Sequence, residues 1–506
     1  MSDSGGEERE TDAVRWSSLW CCVRPSVRAK YKWILRDSSG VLRRGRSMAV
    51  LGPSGSGKTT LLSLLSGQLA TSSKVWSCGE VAAPIPTNIA YVAQDTPFFS
   101  GLTVRETLSF VARLERHPTL SVKDRVDLLL RKLALSSCAD TRVGGNTGGL
   151  ETRGISGGER RRLAIACELL RASQSNQDAN GDWDSDELTF LIADEPTSGL
   201  DAFQADKVVD NLLEIAHEGA VVLFSIHQPR SAIFDKLDDV LLLAPWGHTC
   251  FAGPRSTALE HFARMGFEIP PNFNPAEYLV DLVSVDMSTP ETERKSWKRI
   301  EMLQRAWQKQ ASSSSPSPSH SGTVEVAIPP AVPASPVQVT QVASFRSKSS
   351  ASRQRRRPNV VVQFFNLLGR ALKQTRREVQ VHATRAVGTV ILALAFGATY
   401  RVGNGQKSIK RRAAVMFQVC INSAMMSTIK TLNSFPRERA VVRKEIGSTS
   451  KLYGVGPYFL AKMLVEGPVD ACFPVLFGSI VGRLSGAYPH PHHHQPLDSL
   501  VVLPLF

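Results

Sequence analysis

At 506 residues the chain is too long for one ordinary domain, and a hydrophobic content of 42% excludes a wholly disordered polymer. A formal net charge of +14 points to nucleic acid, an anionic membrane face or phosphorylated ligands. Eight cysteines without a C-x-x-C pair argue against a disulfide framework or a structural zinc site and fit reduced thiols.

The opening "MSDSGGEERETD" is acidic and polar, unlike a signal peptide, so the first domain is expected to stay in the cytosol. Residues 1–28 read as a loose tail. Its Cys21–Cys22 pair suits either acylation or ordinary thiols. Across 29–286, "SMAVLG", "NIAYVAQ", "TFLIADE", "AVVLFSIHQ" and "DVLLLA" predict buried strands. Between them "TTLLSLLSGQLA", "VKDRVDLLLRKLAL" and "RRLAIACELLRA" carry helical spacing, which predicts an α/β domain with a largely parallel sheet. Residues 173–187 read as an acidic surface insertion. Asp178, Asn180 and Asp182 begin like a calcium loop, but Trp183 stands where glycine is needed and Thr189 where glutamate is needed.

Residues 287–358 read as a flexible Ser/Pro-rich basic linker. Between Arg346 and Arg385 stand eleven Lys or Arg and one acid, Glu378. That cluster lies just before an apolar region, which favours the cytoplasmic face of a membrane over nucleic acid. Residues 359–382 predict an amphipathic connecting helix with a basic face. Residues 383–506 predict a partial all-α transmembrane domain of about three spans: Ala386–Tyr400, Ala413–Ile429 and Leu464–Gly482. The histidine run at 490–494 earns no role.

The chemistry sits in the first domain. "GPSGSGKTT" (Gly52, Pro53, Ser54, Gly55, Ser56, Gly57, Lys58, Thr59, Thr60) fits G-x-x-x-x-G-K-[ST] between a strand and a helix, the setting of a P-loop. Its backbone N–H groups would cradle phosphates, Lys58 would reach the β- and γ-phosphates, and Thr59 would place its hydroxyl on Mg²⁺. "FLIADEPTSGLD" is an apolar strand ending in two acids. Asp194 is the candidate Mg²⁺ holder and Glu195 the candidate general base. "ISGGERRRLAIA" reads as a second helix start suited to an anion.

Residues 30–285 resemble the nucleotide-binding domain of an ABC transporter. Besides the P-loop and the Asp194–Glu195 strand, Gln94 matches that family's Q-loop, Ile155–Glu159 its signature, Ser198–Asp201 its D-loop and His227 its switch histidine. "LTVRETLSF", "DEPTSGLD", "SIHQPR" and "NPAEYLVDLVSVD" are similar to the G subfamily, the White-type half-transporters, which place the ATPase before the membrane domain.

The resemblance implies an α/β P-loop NTPase followed by a membrane domain, with ATP and Mg²⁺ as cofactors. It implies that Gln94 contacts Mg²⁺, that His227 holds the water geometry, and that Ser156 and the Gly157 and Gly158 amides grip the ATP of a second half-transporter, homo- or heteromeric, with Glu159 and Asp201 also at the nucleotide site. It offers Tyr31 or Trp33 as the aromatic for adenine. It implies a multi-pass membrane protein with the ATPase in the cytosol, surrounded by lipid, exporting a hydrophobic small molecule, with no nucleic acid. The family's membrane part has six spans, so a chain stopping at "LDSLVVLPLF" is expected to be truncated. The alternatives are a non-transporting regulator of a full-length partner and a soluble ABC ATPase.

Overall fold

A computed structural model describes residues 13–24, 31–69, 75–83, 87–115, 120–147, 150–172, 188–313, 358–400, 402, 408–447 and 452–486. Those between 173 and 187, most of the linker and the histidine run lie outside the described residues.

The strands are β1 (Ala13–Val23), β2 (Lys32–Arg43), β3 (Ser47–Leu51), β4 (Val75–Ala82), β5 (Thr87–Val92), β6 (Gly145–Thr147), β7 (Leu150–Thr152), β8 (Leu188–Ala193), β9 (Val221–Ser225), β10 (Asp239–Ala244) and β11 (His248–Pro254). The helices are α1 (Lys58–Leu65), α2 (Val104–Leu114), α3 (Val122–Lys132), α4 (Gly157–Ala172), α5 (Ala202–His217), α6 (Ser231–Lys236), α7 (Arg255–Arg264), α8 (Pro275–Leu282), α9 (Pro290–Ser313), α10 (Val360–Arg377), α11 (Val379–Thr399), α12 (Ser408–Gly447) and α13 (Val455–Ser485). Contacts divide the chain into two units, one drawing on 1–96, 115–139 and 156–356, the other on 97–114, 140–155 and 357–506.

In the first unit a six-stranded sheet has the order β11-β10-β3-β9-β8-β5, parallel except for β11. Its strands β3, β8, β9 and β10 are buried at every position, which is why they read as unbroken apolar runs. Helix starts follow local capping: Asp201 accepts the Gln204 N–H, and Asn274 accepts the Ala276 N–H ahead of Pro275.

Two expectations fail here. Residues 13–23 are not a tail but the central strand of an antiparallel β2-β1-β4 sheet. Val14, Trp16, Leu19 and Cys21 are buried against the core, and Cys22 is buried as well. Bulges between Trp16 and Cys22 break the strict alternation that would have announced the strand. Trp33 lies edge-on to Trp20 and Trp76 in this sheet, at ring-centre distances of 5.6 and 5.8 Å, while Tyr31 lies under the Arg24 guanidinium. Likewise residues 290–313, expected as linker, form α9, which buries Ile300 and Leu303 and stacks Trp297 on Trp246 at 4.2 Å.

In the second unit the connecting helix ends at Arg377, and α11 starts at once after Glu378. Among the described residues two helices, α11 and α13, are long and apolar enough to cross a membrane, not three. The middle stretch, Ala413–Ile429, lies inside the 40-residue α12, where Gln418 and Asn422 interrupt its apolar run. Tyr458, Lys462, Glu466 and Asp470 recur every fourth residue on α13 and form one polar stripe. The stripe is paired: Lys462 with Glu438 and, at 3.1 Å, with Glu466; Asp470 with Arg385 at 3.0 Å.

The segment after Gln94 belongs to this second unit. Glu106 on α2 receives Arg377 at 2.5 Å and Lys373 at 3.1 Å. Burial alone would raise the Glu106 carboxyl. Hydrogen bonds from Arg377, Thr103 and Lys373 outweigh it and bring the pKa down to about 2. Deeper in, Arg370 of α10 makes two bonds to Glu445, at 2.8 and 3.0 Å, and one to the Tyr453 hydroxyl at 3.1 Å. Its guanidinium lies 4.0 Å from the Phe110 ring centre and 4.4 Å from that of Phe99. Replacing Arg370 with Met leaves Glu445 buried without a counter-charge, a loss of about 3 kcal/mol or more. Thermal denaturation of the detergent-solubilised chain should show a lower midpoint for Arg370→Met, partly restored by adding Glu445→Gln.

Candidate nucleotide-binding site

The predicted site residues collect where four neighbouring parallel strands end. The sheet order places β3, β9, β8 and β5 side by side. Their carboxyl ends lead into the Gly52–Thr60 loop, Ser225–His227, Asp194–Glu195 and Gln94 respectively. Open α/β sheets bind ligands at such strand ends.

The loop has the backbone that phosphate binding needs. Gly57 caps α1 at φ 96°, a left-handed conformation, with no side chain closing the helix start. At Gly52 a Cβ would lie 2.2 Å from the Leu243 carbonyl oxygen. Lys58 is 6% exposed, and its ammonium donates to the Gly52 oxygen at 2.7 Å and the Pro53 oxygen at 3.0 Å. Burial pulls the Lys58 pKa below its ordinary value, against the pull of Glu195 and Asp194. The Ser56 hydroxyl is fully buried and has no hydrogen-bond partner among the described residues.

Opposite the loop, Thr59 donates to Asp194 Oδ1 at 3.3 Å. Ser225 donates to the same oxygen at 2.6 Å and accepts the Glu195 N–H at 2.8 Å. Gln94 Nε2 donates to Glu195 Oε2 at 2.7 Å, and Arg161 of α4 donates to the Gln94 carbonyl. The residues therefore fit a triphosphate with Mg²⁺: an unpartnered buried hydroxyl, an uncapped helix start, a cation held only by carbonyls, and a hydroxyl–carboxylate pair of the kind that binds a hard cation.

The family model described as ABC transporter matches residues 35–175, and two described as ABC-2 type transporter match 362–505 and 227–321. ABC transporter G family member 7 of Arabidopsis thaliana is 38% identical over 96% of this chain and 63% of its own length. Member 22 of Dictyostelium discoideum is 32% identical over 91% and 69%, and member 14 of A. thaliana 31% identical over 94% and 69%. The chain belongs to the ABC transporter G family. It spans 63% of the length of the first of these relatives.

In this ABC transporter G family chain the structure unites Lys58, Thr59, Asp194, Glu195 and Gln94 through the bonds above. Gln94 engages Glu195 rather than Thr59 or Asp194. His227 is exposed at the end of β9, followed by Gln228 at φ 44°. The signature residues stand on α4: Ser156 and Gly157 are exposed, and Gly158 is buried where a Cβ would lie 2.3 Å from Gln204 Oε1. Asp201 caps α5 by accepting the Gln204 N–H at 2.9 Å. The signature and D-loop thus meet at one glutamine. A match to the ABC-2 type over 227–321 covers α9, the helix that composition alone hid.

Ser225 escaped the sequence reading because a serine closing an apolar strand looks like a satisfied core hydroxyl. Its bond to two functional carboxylate residues was legible only as "FS" two positions before His227. Ser225→Ala removes both bonds. It should cost about 1–2 kcal/mol of stability, read by thermal melting.

Proposed function

We propose that this chain is an ATP-binding and ATP-hydrolysing half-transporter that works as a dimer with a second half-transporter and exports a lipid-like or other small hydrophobic substrate. The observation that carries the reading is the convergence of Lys58, Thr59, Asp194 and Glu195 at adjacent strand ends, with Ser225 tying the two acids together. Such an arrangement holds a triphosphate and, next to it, a carboxylate able to take a proton.

In the reaction a water attacks the terminal phosphorus in line, the β–γ oxygen–phosphorus bond breaks, and ADP leaves. Glu195 accepts the proton of the attacking water, and His227 holds the water's geometry. Lys58 and the loop N–H groups take up charge on the phosphate oxygens, and positioning with charge neutralisation supplies most of the rate. Mg²⁺, held by Thr59 and Asp194 with Gln94 at hand, would neutralise phosphate charge.

The exposed signature start at Ser156 and Gly157 supports a pocket completed across two chains. Ser156, the Gly157 and Gly158 amides and the Asp201 segment of one chain would face the nucleotide of the other. Closure around ATP and release after hydrolysis would then be a two-state cycle. The cycle would reach α11 and α13 through the segment after Gln94, whose Glu106 is held by Arg377 and Lys373 of α10. The ATPase part would lie in the cytosol, with the basic face of α10 against the anionic leaflet.

Glu195→Gln should keep ATP binding, lower turnover at least about 100-fold and trap a dimer, read by phosphate release and by light scattering. Unchanged hydrolysis would remove Glu195 as the base. Ser156→Arg should abolish turnover while ATP still binds; normal turnover would overturn the cross-chain pocket.

A further inference from the structure

Glu195 stands where the backbone has little freedom. Its φ of 45° lies in the left-handed region that residues with a side chain rarely adopt, so neighbours must hold it there. Its N–H donates to Ser225 Oγ at 2.8 Å, and its carbonyl accepts the Ser198 N–H at 3.1 Å. With the backbone held on both sides, the carboxylate is aimed by its side-chain torsions. Gln94 fixes those, its Nε2 donating to Glu195 Oε2 at 2.7 Å. Gln94 needs holding in its turn, because it is exposed and lies past the end of β5 in irregular chain. The strand ends are in register, with Val92 opposite Ala193 and the Asp194 N–H donating to the Val92 carbonyl at 2.8 Å, so the Gln94 segment runs beside Glu195. What pins that segment comes from α4. Arg161 and Arg162 point about 100° apart around the helix axis. Arg162 donates to Gln204 Oε1 of α5 at 3.3 Å. Arg161 turns to the end of β5 instead, where its guanidinium donates to the Gln94 carbonyl and, at 3.5 Å, to that of Ala93. Burial lowers the Arg161 pKa, against the pull of Asp95, Glu195 and Asp194.

We propose that Arg161 is a positioning residue for hydrolysis: by pinning the Gln94 backbone from α4, it keeps the Gln94 amide on the Glu195 carboxylate and so sets the aim of the base. The inference rests on Glu195 being the general base. Two consequences separate it from a plain packing role. The planar guanidinium spans two successive backbone oxygens, whereas a lysine offers one point charge, so Arg161→Lys is not a neutral exchange. An effect that passes through Gln94 must vanish once Gln94 is gone, whereas a packing or charge effect of Arg161 would persist.

The test measures phosphate release by the full chain in lipid vesicles as Mg-ATP is varied. Arg161→Gln should lower kcat about tenfold while the KM for ATP stays within about twofold, and Arg161→Lys should fall between it and the parent. Gln94→Ala should cost about as much kcat as Arg161→Gln, and the double variant no more than either alone. Losses that multiply in the double variant would overturn the proposal. So would the parent's kcat in Arg161→Gln, or a raised KM with kcat unchanged, which would make Arg161 a binding residue. If Arg161→Gln does not fold, Arg161→Lys decides: a kcat loss that disappears in the Gln94→Ala background supports the proposal, and one that persists there, or no loss at all, overturns it. Glu195→Gln is measured alongside. Unchanged hydrolysis in that variant removes the base itself, a failure visible before any change at Arg161.

Discussion

The burial of charged groups at the carboxyl ends of β3 and β8 is the constraint on which the rest depends. Lys58 is 6% exposed and Asp194 1%, so each must be held by neighbours whenever nucleotide is absent. The chain does this with backbone and hydroxyls: Gly52 and Pro53 carbonyls for the ammonium, Thr59 and Ser225 for the carboxylate. Carbonyls satisfy a cation's hydrogen bonds without neutralising its charge. The lowered Lys58 pKa is the signature of that unfinished state. A triphosphate offers what the carbonyls do not, a negative charge, so the same desolvation that costs stability in the free chain favours the ligand.

The second unit solves the same problem without a ligand. Arg370 has a carboxylate, a phenol and two aromatic faces, so its charge is met from within the chain. Phe99 and Phe110 come from the segment after Gln94, while Glu445 and Tyr453 flank the end of α12 and the start of α13. One cation thus ties together parts of the chain that lie far apart in sequence. Its pairing with a buried carboxylate suits a rigid joint, whereas Lys58, held by carbonyls, suits a binding site.

How much of this was legible in the sequence follows from burial. Strands buried on both faces, β3, β8, β9 and β10, declare themselves as apolar runs, and the fifth strand named from sequence, the half-buried β5, is present as well. Strand β1 was missed because its apolar residues are interleaved with Ser17, Ser18 and bulges, and because an acidic leader precedes it. Helix α9 was missed because Lys, Arg and Glu dominate its solvent face, so its spaced Trp297, Ile300, Leu303 and Trp307 were lost in a composition that reads as linker. Helix α12, which holds the Ala413–Ile429 stretch expected as a span, is not one of the two helices long and apolar enough to cross a membrane among the described residues. At the site, motif spacing brought out Gly52–Thr60, since glycines and a lysine have few other reasons to stand in that order. It did not bring out Ser225, whose role exists only because β8 and β9 are neighbours.

The contrast between α1 and α4 shows where spacing misleads even when it is read correctly. "SGGE" reads as an anion-binding helix start. The same four positions also spell S-x-x-E, the pattern of a helix that caps itself. The sequence alone does not rank these two readings, because both use the same free N–H groups. What ranks them is whether an anion is present. In this structure Glu159 takes the Ser156 N–H. A helix start that needs nothing from outside is stable in an open, exposed position such as that of Ser156, whereas α1, whose start has no side-chain cap, is sheltered by the loop that wraps it. Exposure therefore explains why the two starts, alike in their donors, are built from different residues.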